Sequence, residues 1–276
     1  MIKEELNNLL QKYNLSPNKI RGQNFLISEM VLDTIIKTAA INKEELILEI
    51  GPGLGSLTER LVKDSKKVIA LEIDQDFQKV LNKLEKKYSN LEIIWQDILS
   101  LTNEQLRKIL SVARLKDYKV VANIPYYLTS KLINKFLAFK KQPLSMTIMV
   151  QKEVAQRLAA EEQSLLSLSL SFYAQVEIIT IVSKEKFFPS PQVDSALIHI
   201  NNIHPWLYTE EENELWKLIH KGFAHKRKKL INNLKKDSIF KKEQLIKIFK
   251  DLNLDKNIRA QDLSKENWLA LFKKIA

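Results

Sequence analysis

Residues Glu49 to Gly55 read EIGPGLG, and three of the chain's five glycines, Gly51, Gly53 and Gly55, alternate within that stretch. So many missing side chains in so few positions imply a backbone that a ligand approaches closely, and a helix starting just beyond would turn its unpaired N–H groups toward negative charge. A dinucleotide loop needs its third glycine three positions after the second. Ser56 stands there instead, and the spacing, with Glu49 ahead of it, better suits a loop for S-adenosylmethionine. Three more residues able to do chemistry close apolar runs downstream: Glu72 after VIAL, Asp97 after LEIIWQ and Asn123 after KVVA. A carboxylate at the place of Glu72 can accept hydrogen bonds from both hydroxyls of a ribose, and Asp97 could accept from the exocyclic amine of an adenine. Reading the two carboxylates as an acid/base pair for glycoside hydrolysis leaves the glycine loop without a task. Metal chemistry is not expected either: there is no Cys, and His199, His204, His220 and His225 have no ligand spacing.

The elements that must position these residues follow from periodicity. Leu46 to Gly55, Val68 to Asp74, Leu91 to Asp97 and Lys119 to Tyr127 each read as an apolar strand running into its end residues, Glu72 and Asp74 closing the second, and helical spacing separates them at Leu57 to Lys63 and Phe77 to Tyr88. Alternation of this kind predicts a parallel sheet, which binds ligands at the carboxyl ends of its strands. Gly51, Glu72, Asp97 and Asn123 then share one rim. Further on, Ser130 to Phe139 and Val154 to Ala160 read as helices and Ser145 to Val150 as a fifth strand. Leu165 to Tyr173 alternates Leu with Ser, so strand and Ser-rich helix stay equally open. Glu177 to Val182 and Ser195 to Ile200 predict a terminal hairpin that presents Phe187-Phe188-Pro189-Ser190-Pro191 at the rim, with at least one Phe packed in the core. At the other end, residues 1–30 form an arm whose Ile2, Leu6, Leu9, Leu10 and Tyr13 lie at helical spacing. His204-Pro205-Trp206 marks the expected boundary between a sheet domain, 1–204, and a helical domain, 205–276.

The tetrapeptide Asn123-Ile124-Pro125-Tyr126 resembles the signature of methyltransferases that act on the exocyclic amine of a base. Together with IRGQNFLI from Ile20, EIGPGLGSLT, WQD, NIPYYLTS, VQKEVAQRL, FFPSPQVDSALI, HKRKKLINNLK and RAQDLS, it resembles the ribosomal RNA adenine N6-dimethyltransferase family from about Ile20 to the C-terminus. The resemblance implies a Rossmann-like α/β sheet for S-adenosylmethionine with a small all-helical C-terminal domain. It implies cofactor contacts from Asn24, Leu26, Gly51, Gly53, Glu72, Asp97 and Asn123. Chemistry would fall to Asn123, Ile124, Pro125 and Tyr126: the Asn123 side-chain oxygen and the Ile124 carbonyl would hold the two N–H bonds of the amine and free its lone pair, while Tyr126 and Phe187 would sandwich the flipped base. Two departures stand out. Ala160 to Leu166 reads AEEQSLL where the family has a Gly- and Tyr-containing loop, and Thr129-Ser130 inverts the usual order with both hydroxyls kept.

Charge supplies the partner. The net charge is +11 and the isoelectric point about 9.5, which favours a polyanion over a small acidic metabolite. Lys226-Arg227-Lys228-Lys229, Lys235-Lys236 and Lys241-Lys242 concentrate that charge among amphipathic helical segments, and Arg227, Lys228, Lys229 and Lys235 are the expected RNA contacts. The resemblance makes the substrate two adjacent adenosines near the 3′ end of small-subunit rRNA in a pre-ribosomal particle. The alternatives are a resistance methylase of large-subunit rRNA and a non-catalytic assembly factor on the same fold. With no Cys, no signal-peptide pattern and no apolar run near 18 residues, the expectation is a cytoplasmic protein, monomeric and without a membrane partner.

Overall fold

The computed structural model describes residues 3–18, 20–113, 115, 117–160, 163–208, 211–235 and 242–275. The chain forms two compact units, one of Met1–Ala155 with Gln175–Ile203 and one of Gln156–Ala174 with His204–Ala276. The sequence reading kept Gln156–Ala174 with the sheet. The structure gathers it into the helical unit instead.

In chain order the elements are α1 (Lys3–Lys12), β1 (Phe25–Leu26), α2 (Glu29–Ala39), β2 (Leu46–Ile50), α3 (Thr58–Asp64), β3 (Lys67–Glu72), α4 (Gln78–Lys87), β4 (Leu91–Trp95), α5 (Asn103–Val112), β5 (Tyr118–Ala122), α6 (Thr129–Leu137), β6 (Met146–Gln151) and α7 (Lys152–Leu158). Then come α8 (Leu165–Tyr173), β7 (Gln175–Val182), β8 (Phe187–Phe188), β9 (Ser195–Asn201), α9 (Glu212–Gly222), α10 (Leu230–Leu234), α11 (Lys242–Asp251) and α12 (Lys265–Ile275).

Seven strands form one sheet in the order β4-β3-β2-β5-β6-β9-β7. Neighbours from β4 to β6 are parallel, and β9 runs antiparallel between β6 and β7. All five residues of β2 are buried, as a central strand covered on both faces requires. The chain builds outward from β2 to β4 and then returns to the other side of β2 as β5, so a crevice opens between the carboxyl ends of β2 and β5. The core of this unit includes Ile47, Leu61, Val68, Leu81 and Val121, and Leu6 and Leu10 of α1 join it one helical turn apart. That accounts for the amphipathic start of the chain, whose Ile2 lies outside the described residues. Helix α5 had no counterpart in the sequence reading; it begins at Thr102, whose hydroxyl accepts from the Gln105 N–H while the Gln105 side chain accepts from the Thr102 N–H.

The open segment 165–173 is helical. Ser164 caps it reciprocally with Ser167, and the Ser171 hydroxyl donates to the Leu168 carbonyl, so serines that suggested a two-residue period bind back onto helical backbone. Buried Phe172 then meets Trp206, Tyr208 and Trp216, with ring centroids 5.2–5.6 Å away. This aromatic cluster is why the segment belongs to the helical unit. In the same unit Trp268 is fully buried, and a Cβ on Gly222 would sit 2.4 Å from its ring, so glycine lets α9 approach α12. Among the described residues no helix is long and apolar enough to cross a membrane.

Candidate active site

A cavity of about 290 Å³ lies at the β2/β5 crevice, wholly within the sheet unit. Asn24, Leu26, Gly51, Gly53, Glu72, Asp97, Asn123, Ile124, Pro125, Tyr126 and Phe187 all line it, so the structure brings together every sheet-unit residue singled out from sequence. Arg227, Lys228, Lys229 and Lys235 lie in the other unit.

Backbone fixes the first wall. Gly53 has φ +56°, and a Cβ there would press on the Phe25 ring at 3.3 Å. Its N–H donates to Glu72 Oε2 at 3.0 Å, while the Ile73 and Asp74 N–H groups donate to Glu72 Oε1 at 2.9 Å each. Glu72 is thus held rigid at the end of β3 with 5% of its surface exposed. Burial pushes its carboxyl above the ordinary value, and the three backbone donors oppose that rise. One strand out, Asp97 Oδ1 accepts from the Leu99 N–H at 2.8 Å. The turn-capping role natural to an aspartate after a strand is therefore present, yet it occupies one oxygen only.

Glu49 is the residue whose burden the sequence did not reveal. It is 1% exposed on β2, lines the cavity, and its Oε2 has no hydrogen-bond partner among the described residues. Burial raises its pKa to about 8, the nearby Thr58 hydroxyl offsets part of the rise, and the Glu72 charge adds to it. An uncompensated carboxyl in such a place is costly. A cationic group brought in by a ligand would relieve it.

Just past the end of β5, Asn123 and Ile124 both line the cavity, and neither the Asn123 side chain nor the Ile124 carbonyl makes a hydrogen bond to the described residues. Tyr126 is half-buried and its hydroxyl pairs with Ser195 Oγ of β9 at 2.6 Å; burial raises its pKa while that bond lowers it. Tyr127, beside it, is 65% exposed.

The second wall comes from the arm. β1 pairs antiparallel with β8, Phe25 opposite Phe188 and Leu26 opposite Phe187, and the Ile27 N–H donates to the Lys186 carbonyl at 2.9 Å. Phe187 is buried at 3% exposure and still lines the cavity, whereas Phe188 is half-buried. Core packing and cavity lining, weighed as rivals for the Phe pair, coincide in Phe187. Arg21, Gln23, Ile73, Asp74, Phe77 and Ile98 also line the cavity, and the sequence assigned none of them to the site. Ile73 and Ile98 each follow a rim carboxylate directly, and Ile73 is 63% exposed; an apolar residue just past an acidic strand end was the available signal. Among the described residues no His, Asp and Glu group could hold a metal ion.

The helical unit supplies a different kind of surface. Residues 225–229, between α9 and α10, are all exposed, as is Lys235 at the end of α10. Arg227 and Lys228 make no ion pair with the described residues, and Lys229 Nζ donates to Asn257 Oδ1 at 2.5 Å. Buried Asn233 shapes the loop by donating to the carbonyls of Gly222 at 2.5 Å and His225 at 3.1 Å. Lys236 and Lys241 lie outside the described residues, as do Glu161 and Glu162 of the divergent AEEQSLL stretch.

Known proteins resemble this chain along nearly its whole length. The family described as ribosomal RNA adenine dimethylase matches residues 14–276. The chain is 37% identical over 268 residues to the ribosomal RNA small subunit methyltransferase A of Dehalococcoides mccartyi, covering 95% of this chain and 90% of that protein. It is 36% identical over 273 residues to the protein of the same description from a Geobacillus species, covering 95% and 93%. Among solved structures, a dimethyladenosine transferase from Plasmodium falciparum superposes with a TM-score of 0.73 at 25% identity, over 91% of this chain and 98% of that one. The 23S rRNA methyltransferase ErmE superposes at 0.71 over 91% and 99% with 21% identity, a likeness of fold alone.

Proposed function

The chain belongs to the ribosomal RNA adenine dimethylase family, S-adenosylmethionine-dependent enzymes on a Rossmann-like sheet, and from that premise we propose that it dimethylates N6 of two adjacent adenosines near the 3′ end of small-subunit rRNA within a pre-ribosomal particle. The observation that carries the reading is the meeting of Glu72, Asp97 and Asn123-Ile124-Pro125-Tyr126 around one cavity at the sheet's switch point. Preference for the small subunit rests on relatives 36–37% identical over 95% of the chain. In this reading the protein acts as a cytoplasmic monomer.

The cavity fits the cofactor on two counts: Gly51 and Gly53, both at positive φ, put bare backbone on its wall, and a buried Glu49 oxygen has no partner among the described residues. S-adenosylmethionine supplies an electrophilic methyl group. Gly51, Gly53, Asn24 and Leu26 would close around it, Glu72 would accept from the ribose hydroxyls, the second oxygen of Asp97 would accept from the adenine amine, and Glu49 would face the ammonium end. An exocyclic amine is a weak nucleophile because its lone pair is delocalised into the ring. Asn123 Oδ1 and the Ile124 carbonyl, both uncommitted, accept its two N–H bonds and favour a pyramidal nitrogen. Pro125 fixes the turn between these acceptors and Tyr126, and Tyr126 and Phe187 grip the base by stacking, worth ~1–3 kcal/mol per base. Arg227, Lys228, Lys229 and Lys235 hold RNA phosphates without reading sequence.

Transfer of labelled methyl from S-adenosylmethionine to immature small subunits, in parallel with naked large-subunit rRNA and followed by nucleoside analysis, tests the proposal. Dimethyladenosine in the small-subunit sample alone is the expected result. Label in the large-subunit RNA alone would move the protein to the resistance methylases, and none in either would favour an assembly factor.

A further inference from the structure

Asp74, two residues past Glu72, is 5% exposed at its side chain, and its Oδ2 accepts from Arg21 Nη1 and from Gln23 Nε2, both at 2.6 Å. Its other oxygen accepts from the Asp76 N–H at 3.2 Å and caps the turn that leads into α4. Burial acts to raise the Asp74 pKa, but Arg21, the Asp76 N–H and Gln23 together hold it below the ordinary carboxylate value, so the group stays ionised.

What Asp74 grips is braced from within. Gln23 Oε1 accepts from the Asn18 N–H at 2.8 Å, and Asn18 Oδ1 accepts from the Ile20 and Arg21 N–H groups at 3.0 and 3.1 Å. These bonds tie Asn18, Ile20, Arg21 and Gln23 to one another. Gly22 lies against Pro125 and the Tyr127 ring, since a Cβ there would meet them at 3.4 and 3.9 Å. Just beyond these residues, Phe25 touches Gly53 and sets its ring edge against Phe77 at 5.8 Å, while β1 holds Phe187 and Phe188 through the β1–β8 pairing. One short segment thus touches the glycine loop, the Asn123 tetrapeptide and the aromatic strand in turn. A β pairing of two residues has little stability of its own; Leu6 and Leu10 fix the start of the arm in the core, and next to the cavity Asp74 is the buried charge that ties down Arg21 and Gln23.

We propose that Asp74 is a positioning residue: by anchoring Arg21 and Gln23 it holds the arm across the cavity, and through β1 it seats Phe187, so that cofactor and target base bind with positive coupling. The inference rests on the cofactor and base placement proposed above. The coupling is reciprocal by linkage: whatever the cofactor adds to base binding, the base adds to cofactor binding.

The test is the affinity of the full chain for immature small subunits with and without S-adenosylhomocysteine, together with the release rate of that ligand. In the parent protein the ligand should tighten particle binding by about fivefold or more, the lower end of typical couplings. Asp74→Asn keeps a residue able to cap the turn, and Arg21→Met with Gln23→Ala alters the exposed side of the anchor, Arg21 being 49% exposed. Both variants should bring the ratio close to one and speed ligand release about tenfold, while Arg21→Lys restores much of the coupling. Variants that melt like the parent yet keep its ratio and release rate overturn the inference and leave the cofactor reading standing. A parent protein that binds no S-adenosylhomocysteine overturns both.

Discussion

The cavity and the basic loop both carry charge on polar scaffolds, but they spend it in opposite directions. Around the cavity, Glu72 is locked by three backbone N–H groups and Glu49 is buried on β2. In the loop, Asn233 supplies the locking from below and every residue from 225 to 229 is exposed. A buried carboxylate can discriminate because its geometry is fixed and its desolvation is lost unless the right donor arrives. Exposed lysines instead act through summed, screened charge, and no single one is decisive. Position should therefore dominate at the rim and number should dominate in the loop.

The largest effect expected is at Asn123. Asn123→Ala removes one of two preorganised acceptors and should lower the transfer rate by about 10²–10³-fold, the scale of losing one preorganised transition-state hydrogen bond. Cofactor affinity should stay within a few-fold by calorimetry. Full activity in that variant would refute the two-acceptor arrangement. Glu72→Ala should come next, weakening S-adenosylmethionine binding by at least about 100-fold, the lower end for two hydrogen bonds to a charged acceptor at ~1.5–3 kcal/mol each. An affinity unchanged in titration would remove Glu72 from the cofactor site.

The loop should respond more gently and in another variable. Replacing Arg227, Lys228 and Lys229 together by Ala should flatten the slope of log affinity for the particle against log salt by about 2–3, at ~0.7–0.9 per phosphate neutralised. Single replacements should each take about a third of that, and cofactor affinity should not move. A triple variant with the parent's salt slope would detach the loop from RNA binding.

The same contrast explains what could be read from the amino-acid sequence. Gly51, Glu72, Asp97 and Asn123 were legible because each ends an apolar run, and in a parallel sheet the end of a strand is already a position in space. The grip of Asp74 on Arg21 and Gln23 was not, for it joins segments about fifty residues apart through side chains that obey no period. The pairing of β1 with β8 is two residues long on each side, too short to leave an alternation. Segment 165–173 stayed open between strand and helix for a further reason: its Leu and Ser alternate, but hydroxyls bonded to their own helix and a mostly buried surface erase the polar stripe on which helical periodicity depends. Exposure of residues 225–229 was legible as charge, whereas Asn233, the residue that shapes them, reads as one more polar residue in a helix.

Glu49 gives the smallest effect and the sharpest statement about the rim. Its folded pKa of about 8 lies above the ordinary 4.5, so the folded state without ligand holds a proton there that the unfolded chain releases. Stability from this group is fully present below about 4.5 and declines as pH rises to about 8. Between pH 6 and 9 the melting temperature of the ligand-free protein should fall by a few degrees, and Glu49→Gln should flatten that dependence. Facing the ammonium of the cofactor, the same carboxyl gains a partner for its charged form, so binding at pH 7 should release up to one proton. Titration in buffers of different ionisation enthalpy reads that release directly. No proton released, in a protein that binds cofactor with normal affinity, would mean that Glu49 keeps its proton and that its unpartnered oxygen meets a neutral donor instead of a cation.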